Sequence, residues 1–107
     1  MTSKVNYLDK PWLKNYGDGV PPTLNYEEVC ITEFLERSAA KFPDNLGLLF
    51  MGYKLTFREV KDMVDRLASA LTSYGIKKGD SVAILLPNVI PCVVAYYAVL
   101  KIGGIVV

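Results

Sequence analysis

The stretch "SVAILLPNVIPCVVAYYAVLKIGGIVV", residues 81–107, decides the fold. Residues 81–86 form an apolar run without alternation, which is how a β-strand covered on both faces reads. Pro87 and Asn88 end that run. Asn88 suits an N-cap, and Pro91 falls in the first turn of the helix that follows, where a missing amide hydrogen costs little. That helix is apolar nearly all round, the mark of a buried rather than a surface helix. Gly103 or Gly104 stops it, and Ile105, Val106 and Val107 open another buried strand. Strand, crossover helix, strand is the unit of a parallel sheet, with a right-handed connection. Residues 82–100 also approach the ~20 apolar residues of a membrane span. The cluster of Pro87, Asn88 and Pro91 inside them fits a strand-turn-helix junction better.

Working upstream, "IKKGD" reads as a loop in which Gly79 and Asp80 turn the chain. Before it, "TFRE" at residues 56–59 is a capping-box sequence. The Thr56 hydroxyl can accept from the amide three residues on, while Glu59 reaches back to the amide of Thr56. A helix is therefore predicted from Phe57, with Val60, Met63, Val64, Leu67, Ala68 and Leu71 as its buried stripe and Gly75 as its C-cap. Arg58, Lys61, Asp62, Asp65 and Arg66 fall on its wet face. "LGLLFMGYKLTF" reads as a hairpin turning at Gly52 and Tyr53. "CITEFLERSAAKF", residues 30–42, is an amphipathic helix presenting Ile31, Phe34, Leu35, Ser38, Ala39 and Phe42 on one face, with Glu33, Glu36, Arg37 and Lys41 opposite. Pro43 ends it. The order helix, hairpin, helix, strand, helix, strand predicts an α/β layered sheet with parallel strands and crossover helices.

The first 29 residues lack any period and concentrate Pro, Gly, Asn and Asp, so they are expected to form an irregular arm, and residues 30–107 a partial α/β subdomain. Trp12, Leu13, Tyr16 and Val20 are too apolar for a free tail and are expected to be buried along a surface. The start, "MTSKVNYLDK", has no apolar core of a signal peptide.

Composition narrows the chemistry. The 107 residues are 51% apolar and carry 12 basic against 11 acidic side chains, a net charge of +1. Without a basic stripe, nucleic acid is not an implied partner. There is no histidine, which removes the commonest general base, the usual zinc ligand and every Ser-His or Cys-His pair. Cys30 and Cys92 lie far apart among apolar neighbours and read as buried, reduced thiols of a cytoplasmic protein. The glycines at Gly17 and Gly19, at Gly79, and at Gly103 and Gly104 match neither GxxxxGK[ST] nor GxGxxG between strand and helix, so turn and cap roles are expected of them. Glu27 with Glu28, and Asp62 with Asp65, are the acidic pairs on offer. Asp62 and Asp65 have Lys61 and Arg66 beside them, which is the pattern of a solvated face. Tyr96 and Tyr97 read as core residues.

Three segments in order resemble one family, the AMP-forming acyl-CoA synthetases of the adenylate-forming superfamily. "LTFREV", residues 55–60, is similar to that family's early "LTYxEL" element. "YGIKKGDSVAILLPN", residues 74–88, resembles its "GVKKGDRVALxLPN" element, and "AVLKIGGIVV", residues 98–107, its "LKAGAVxVPL" element. The opening "PWLKNYGDGVPPTL" is similar to the starts of long-chain fatty acid CoA ligases.

The resemblance implies the start of a large N-terminal domain of an enzyme that uses ATP, Mg²⁺ and CoA. Such an enzyme converts a fatty acid to an acyl-adenylate and then to the thioester. It also implies that the phosphate loop, adenine-stacking segment, ribose aspartate and catalytic lysine lie downstream of every matched element. No catalytic, cofactor-binding or metal-binding residue is therefore assigned in this chain, which is expected to be inactive alone. The ending at Val107 is read as an interior strand cut short. No transmembrane segment is expected, and the resemblance leaves room for peripheral membrane association of the intact enzyme. A homodimer through the arm or the unpaired strand edges is the expected self-association. The competing reading is a free-standing α/β binding or dimerisation module using residues 89–102 as its contact surface.

Overall fold

A computed structural model describes residues 6–107. Residues 1–5 of the predicted arm, and with them half of the "MTSKVNYLDK" start, lie outside the described residues. Three α-helices, α1 (Ile31–Lys41), α2 (Phe57–Ser73) and α3 (Ile90–Lys101), enclose the core. A hairpin of β1 (Leu46–Phe50) and β2 (Tyr53–Thr56) closes one side, and β3 (Ser81–Val82) pairs in parallel with β4 (Ile105–Val106) on another.

Alpha-2 is the organising element. Val60, Val64 and Ala68, four residues apart, form a single buried row and pack with Leu35, Val94 and Ala98. The capping box forms as the sequence predicts: the Glu59 amide donates to Thr56 Oγ1 at 3.3 Å, and the Thr56 amide donates to Glu59 Oε2 at 2.7 Å. The Thr56 hydroxyl also donates to Glu59 Oε2, at 3.0 Å, and the amide and hydroxyl of Thr56 together hold the Glu59 carboxyl below its ordinary pKa. The next orphan amides of the helix, Phe57 and Arg58, donate to the carbonyls of Asn45 and Pro43. The C-terminus closes in a Schellman arrangement, the Gly75 amide donating to Thr72 and the Ile76 amide to Leu71.

The hairpin turns one residue earlier than predicted, at Met51 and Gly52, with Phe50 opposite Tyr53. Both turn residues have positive φ, 46° and 87°. That is the primed geometry whose twist matches the flanking strands, and it carries Met51 into the left-handed region despite its side chain. The register slips by one residue between Leu46 and Leu48, so Gly47 is a bulge lying against Phe57.

The stretch from Ser81 departs from expectation in three ways. Only Ser81 and Val82 form ladder pairs, although the Ile84 amide still donates to the Val107 carbonyl. Leu85 is 98% exposed and Leu86 45% exposed, because β4 supplies two residues to pair with and no described element covers the outer face. Val89, rather than Asn88, is the N-cap of α3, without a side-chain hydrogen bond, since Pro91 at the second helical position brings the start one residue later. Helix α3 itself is buried along Val94, Ala98 and Val99, where it meets α2 and the core, and only partly covered elsewhere; Tyr96 is exposed.

The arm also corrects the reading. Among the described residues it contains two short 3-10 turns, Tyr7–Asp9 and Pro11–Asn15, held by local hydrogen bonds such as Leu13 to Lys10 and Tyr16 to Leu13. Trp12, Tyr16 and Val20 stay exposed and Leu13 is only half-buried. The arm projects rather than packs: the radius of gyration is 19.2 Å and the long axis 59 Å, whereas a compact chain of this length would have a radius of about 13 Å.

Candidate functional site

The glycines considered as phosphate cradles fill backbone roles. At the end of α3 the Gly103 amide donates to Leu100 and the Gly104 amide to Val99, a second Schellman arrangement, so both amides point back into the helix. Asp80 closes the preceding turn: its carboxylate accepts from the Lys77 amide at 2.8 Å and its own amide donates to the Lys77 carbonyl. The Gly79 amide donates to the Gly103 carbonyl and the Ile105 amide to the Asp80 carbonyl. The two glycine segments therefore tie one another together and aim no set of amides at a common point. Gly17 and Gly19 lie in the projecting arm with open space around them.

Glu27, Asp62 and Asp65 each face a basic side chain. Glu27 accepts both terminal nitrogens of Arg37, at 2.7 and 2.8 Å, while Arg37 Nε reaches Glu33 at 3.0 Å. This clamp lowers the pKa of Glu27 and raises that of Arg37, and it fastens the arm to α1. Asp62 faces Arg66 at 3.8 Å on the solvent side. Asp65, expected on the wet face of α2, belongs instead to a four-membered ring of charges among three helices. Lys61 donates to Asp65 at 2.5 Å and lies 3.4 Å from Glu36. Lys101, in the last turn of α3, donates to Glu36 at 2.6 Å and also to Asp65. All four side chains are half-buried.

The ring sets its own electrostatics. The hydrogen bond from Lys101 lowers the pKa of Glu36, and partial burial opposes it. Burial pushes the Asp65 carboxyl up, and the hydrogen bonds from Lys101 and Lys61 more than reverse it. The hydrogen bond to Asp65 raises the pKa of Lys61; Lys101 is raised too, its carboxylate partners outweighing burial. These are the signs of a charge-locked ring in its ionised form, with no group poised to exchange a proton near neutral pH. The i,i+4 spacing of Lys61 and Asp65 was visible in sequence; Glu36 and Lys101, 65 residues apart, were not.

A small apolar pocket of about 180 Å³ opens between α1, β1, α2 and α3, lined by Phe34, Leu35, Ser38, Leu48, Val93 and Tyr97 among others. Tyr97 packs on the core and meets Tyr96 edge-to-face, ring centres 5.8 Å apart. The cysteines are free thiols, but Cys30 is exposed at the start of α1 and Cys92 half-buried, against the expectation that both are buried. Among the described residues no three His, Cys, Asp or Glu side chains come together to hold a metal ion, and no helix is long and apolar enough to cross a membrane.

The profile of the family described as AMP-binding enzyme matches residues 35–107, from the middle of α1 through β4. The chain belongs to the AMP-binding enzyme family. The chain is 43% identical over 98 residues to a long-chain-fatty-acid–CoA ligase of Bacillus subtilis, covering 92% of this chain and 18% of that protein. The protein of the same description from Escherichia coli O157:H7 is 33% identical over 102 residues, covering 94% of this chain and 18% of that one. Among solved structures, NpsA-ThdA, an artificially fused adenylation-PCP di-domain from Klebsiella oxytoca, superimposes with a TM-score of 0.73 at 29% identity, over 77% of this chain and 16% of that chain. The O-succinylbenzoate coenzyme A synthetase of Bacillus subtilis, in complex with AMP, gives 0.66 at 30% identity over 68% and 15%. The α/β reading holds, and the chain spans less than a fifth of the length of these curated relatives.

Proposed function

We propose that this chain is the N-terminal part of an ATP-dependent, AMP-forming ligase that activates long-chain fatty acids as acyl-adenylates and passes them to CoA. The observation that carries this is the 43% identity to a long-chain-fatty-acid–CoA ligase across 92% of the chain. Residues 1–29 serve as its arm and 30–107 as part of its α/β subdomain, and free thiols at Cys30 and Cys92 are in keeping with a cytoplasmic enzyme, soluble or peripheral to a membrane.

The role of these residues in that enzyme is scaffolding. ATP, Mg²⁺ and CoA need converging donors and oxygen ligands. The glycine amides of the α3 terminus are already bonded to helix carbonyls, and the carboxylates of the α1–α3 junction are neutralised by lysines. Neither set suits those groups. ATP–pyrophosphate exchange assayed with a homogeneous 107-residue sample is expected to be absent with every fatty acid. The reading frame is expected to continue past Val107 into a Ser/Thr/Gly-rich segment ending in lysine. Robust exchange by the short chain, or a natural stop codon after Val107, would favour the free-standing module.

Self-association follows from the unpaired edges. Ala83, Leu85 and Ile105 are exposed, and no charge, proline or bulge interrupts residues 81–86; such an edge pairs with another strand when one is offered. Light scattering at high concentration is expected to give dimers or larger species, and a monodisperse monomer would refute it.

A further inference from the structure

We propose that α1, with the arm clamped to it, is a strap held onto the α2–α3 body by the ring Glu36, Lys61, Asp65 and Lys101, and that breaking the ring lifts it. Three independent features single α1 out. Its apolar hold is thin: Leu35 and Ala39 are its only buried side chains, while Ile31, Phe34 and Phe42 on the same apolar face remain 46–52% exposed. Along one flank the packing under it is incomplete, since the 180 Å³ pocket lies beneath Phe34 and Leu35 and is floored by Leu48, Val93 and Tyr97. Along the other flank Glu36 is the one α1 side chain in the ring, joined to α3 through Lys101 and to α2 through Lys61.

The α2–α3 contact is built otherwise. Val60, Val64 and Ala68 face Val94 and Ala98 with all five buried, so loss of the charges leaves that contact standing. The arm follows α1, because the bidentate Arg37–Glu27 pair joins them and the connecting residues make no other ion pair among those described. Lifting α1 would uncover Leu35 and Ala39 and widen the pocket into an apolar groove across Leu48, Val93 and Tyr97. The ring is suited to a reversible hold: each half-exposed pair is worth at most ~1 kcal/mol and is screened by salt.

Hydrogen exchange on the full chain tests this. Lys101→Met keeps the apolar stem but removes the hub charge. Amides of residues 34–41 are expected to exchange faster by up to about fivefold, as loss of the one pair that joins α1 to α3 would give, while those of residues 60–71 are unchanged. Lys101→Arg should keep wild-type protection. In the unmodified protein, ~1 M salt should reproduce the selective loss in α1, with a smaller further effect on Lys101→Met, where only Lys61 still faces Glu36. Equal acceleration in α1 and α2, or α1 protection indifferent to both salt and Lys101, would overturn the strap.

Discussion

Val64→Asp is expected to abolish the cooperative unfolding transition at pH 7, whereas Val64→Ala only lowers the midpoint. Val64 is 2% exposed at the centre of the buried row of α2, and among the described residues no polar side chain is buried with it. A carboxylate there has neither water nor partner, and an unpaired buried charge costs about 3–5 kcal/mol. A domain of this length has about 5–15 kcal/mol in all, and this one has eight buried apolar side chains among the described residues. Removing two methyl groups costs about 2 kcal/mol by comparison. The pH trend has a definite sign. Burial raises the native pKa of the introduced carboxyl above the ordinary value of about 3.9, so the penalty is least below about pH 4 and grows as pH rises through the raised value. The wild-type ring behaves oppositely: with Glu36 and Asp65 lowered, its contribution is present above the unfolded-state values and disappears as pH falls through the native ones. Denaturant titrations of both variants at pH 4 and pH 7 check this. A Val64→Asp midpoint close to that of Val64→Ala at pH 7 would show that the site is wet.

The elements that sequence pattern predicted well are those whose stabilising partners are local. The capping box of α2 lies within four residues, and its buried stripe within one helix, so both are written in one stretch of sequence. What was misread depends on partners at a distance. Residues 81–86 have the composition of an interior strand, and composition cannot tell whether neighbours exist to cover it; Leu85 lies fully in solvent. Trp12 and Tyr16 have the composition of packed residues, and the arm that carries them extends away from the body. The hairpin tip moved by one residue because a left-handed Met51 is costly by local preference alone and is accepted to match strand twist.

The same distinction applies to the candidate site. The assignment of Gly103 and Gly104 to a helix cap needed only the order of helix, glycine and strand, and the hydrogen bonds of α3 agree with it. The charge ring was half legible: Lys61 and Asp65 share a helical face, but α1 and α3 bring Glu36 and Lys101 to them only when all three helices pack. Family membership came from order and spacing of short elements, which neither composition nor charge carries.

Gly104→Val is expected to destabilise the protein by about 3 kcal/mol or more and to unpair β3 from β4. A Cβ at this buried position would sit 2.9 Å from Val99 Cγ1, 3.1 Å from the Val99 carbonyl and 3.3 Å from the Asp80 carbonyl. Val99 is 1% exposed and has no free space to yield. The backbone cannot retreat either, since the Gly104 amide donates to the Val99 carbonyl and the neighbouring Ile105 amide to Asp80. A single added methyl in Gly104→Ala is already overpacking of the kind that costs about 1–3 kcal/mol, and two more atoms exceed it. Gly103→Ala differs in mechanism: its φ of +78° makes any side chain strained, by about 1–2 kcal/mol, and the added atom meets Lys78, 2.9 Å from Cγ and 3.2 Å from Cβ. Gly17→Ala, with open space around it, is the neutral control. Thermal unfolding should therefore rank Gly17→Ala, Gly103→Ala and Gly104→Val in order of falling midpoint, with the Ile105 and Val107 amides deprotected in the last. If Gly104→Val kept those amides protected, the α3 terminus would have slack to absorb a side chain, and the parallel pairing would not depend on that close approach.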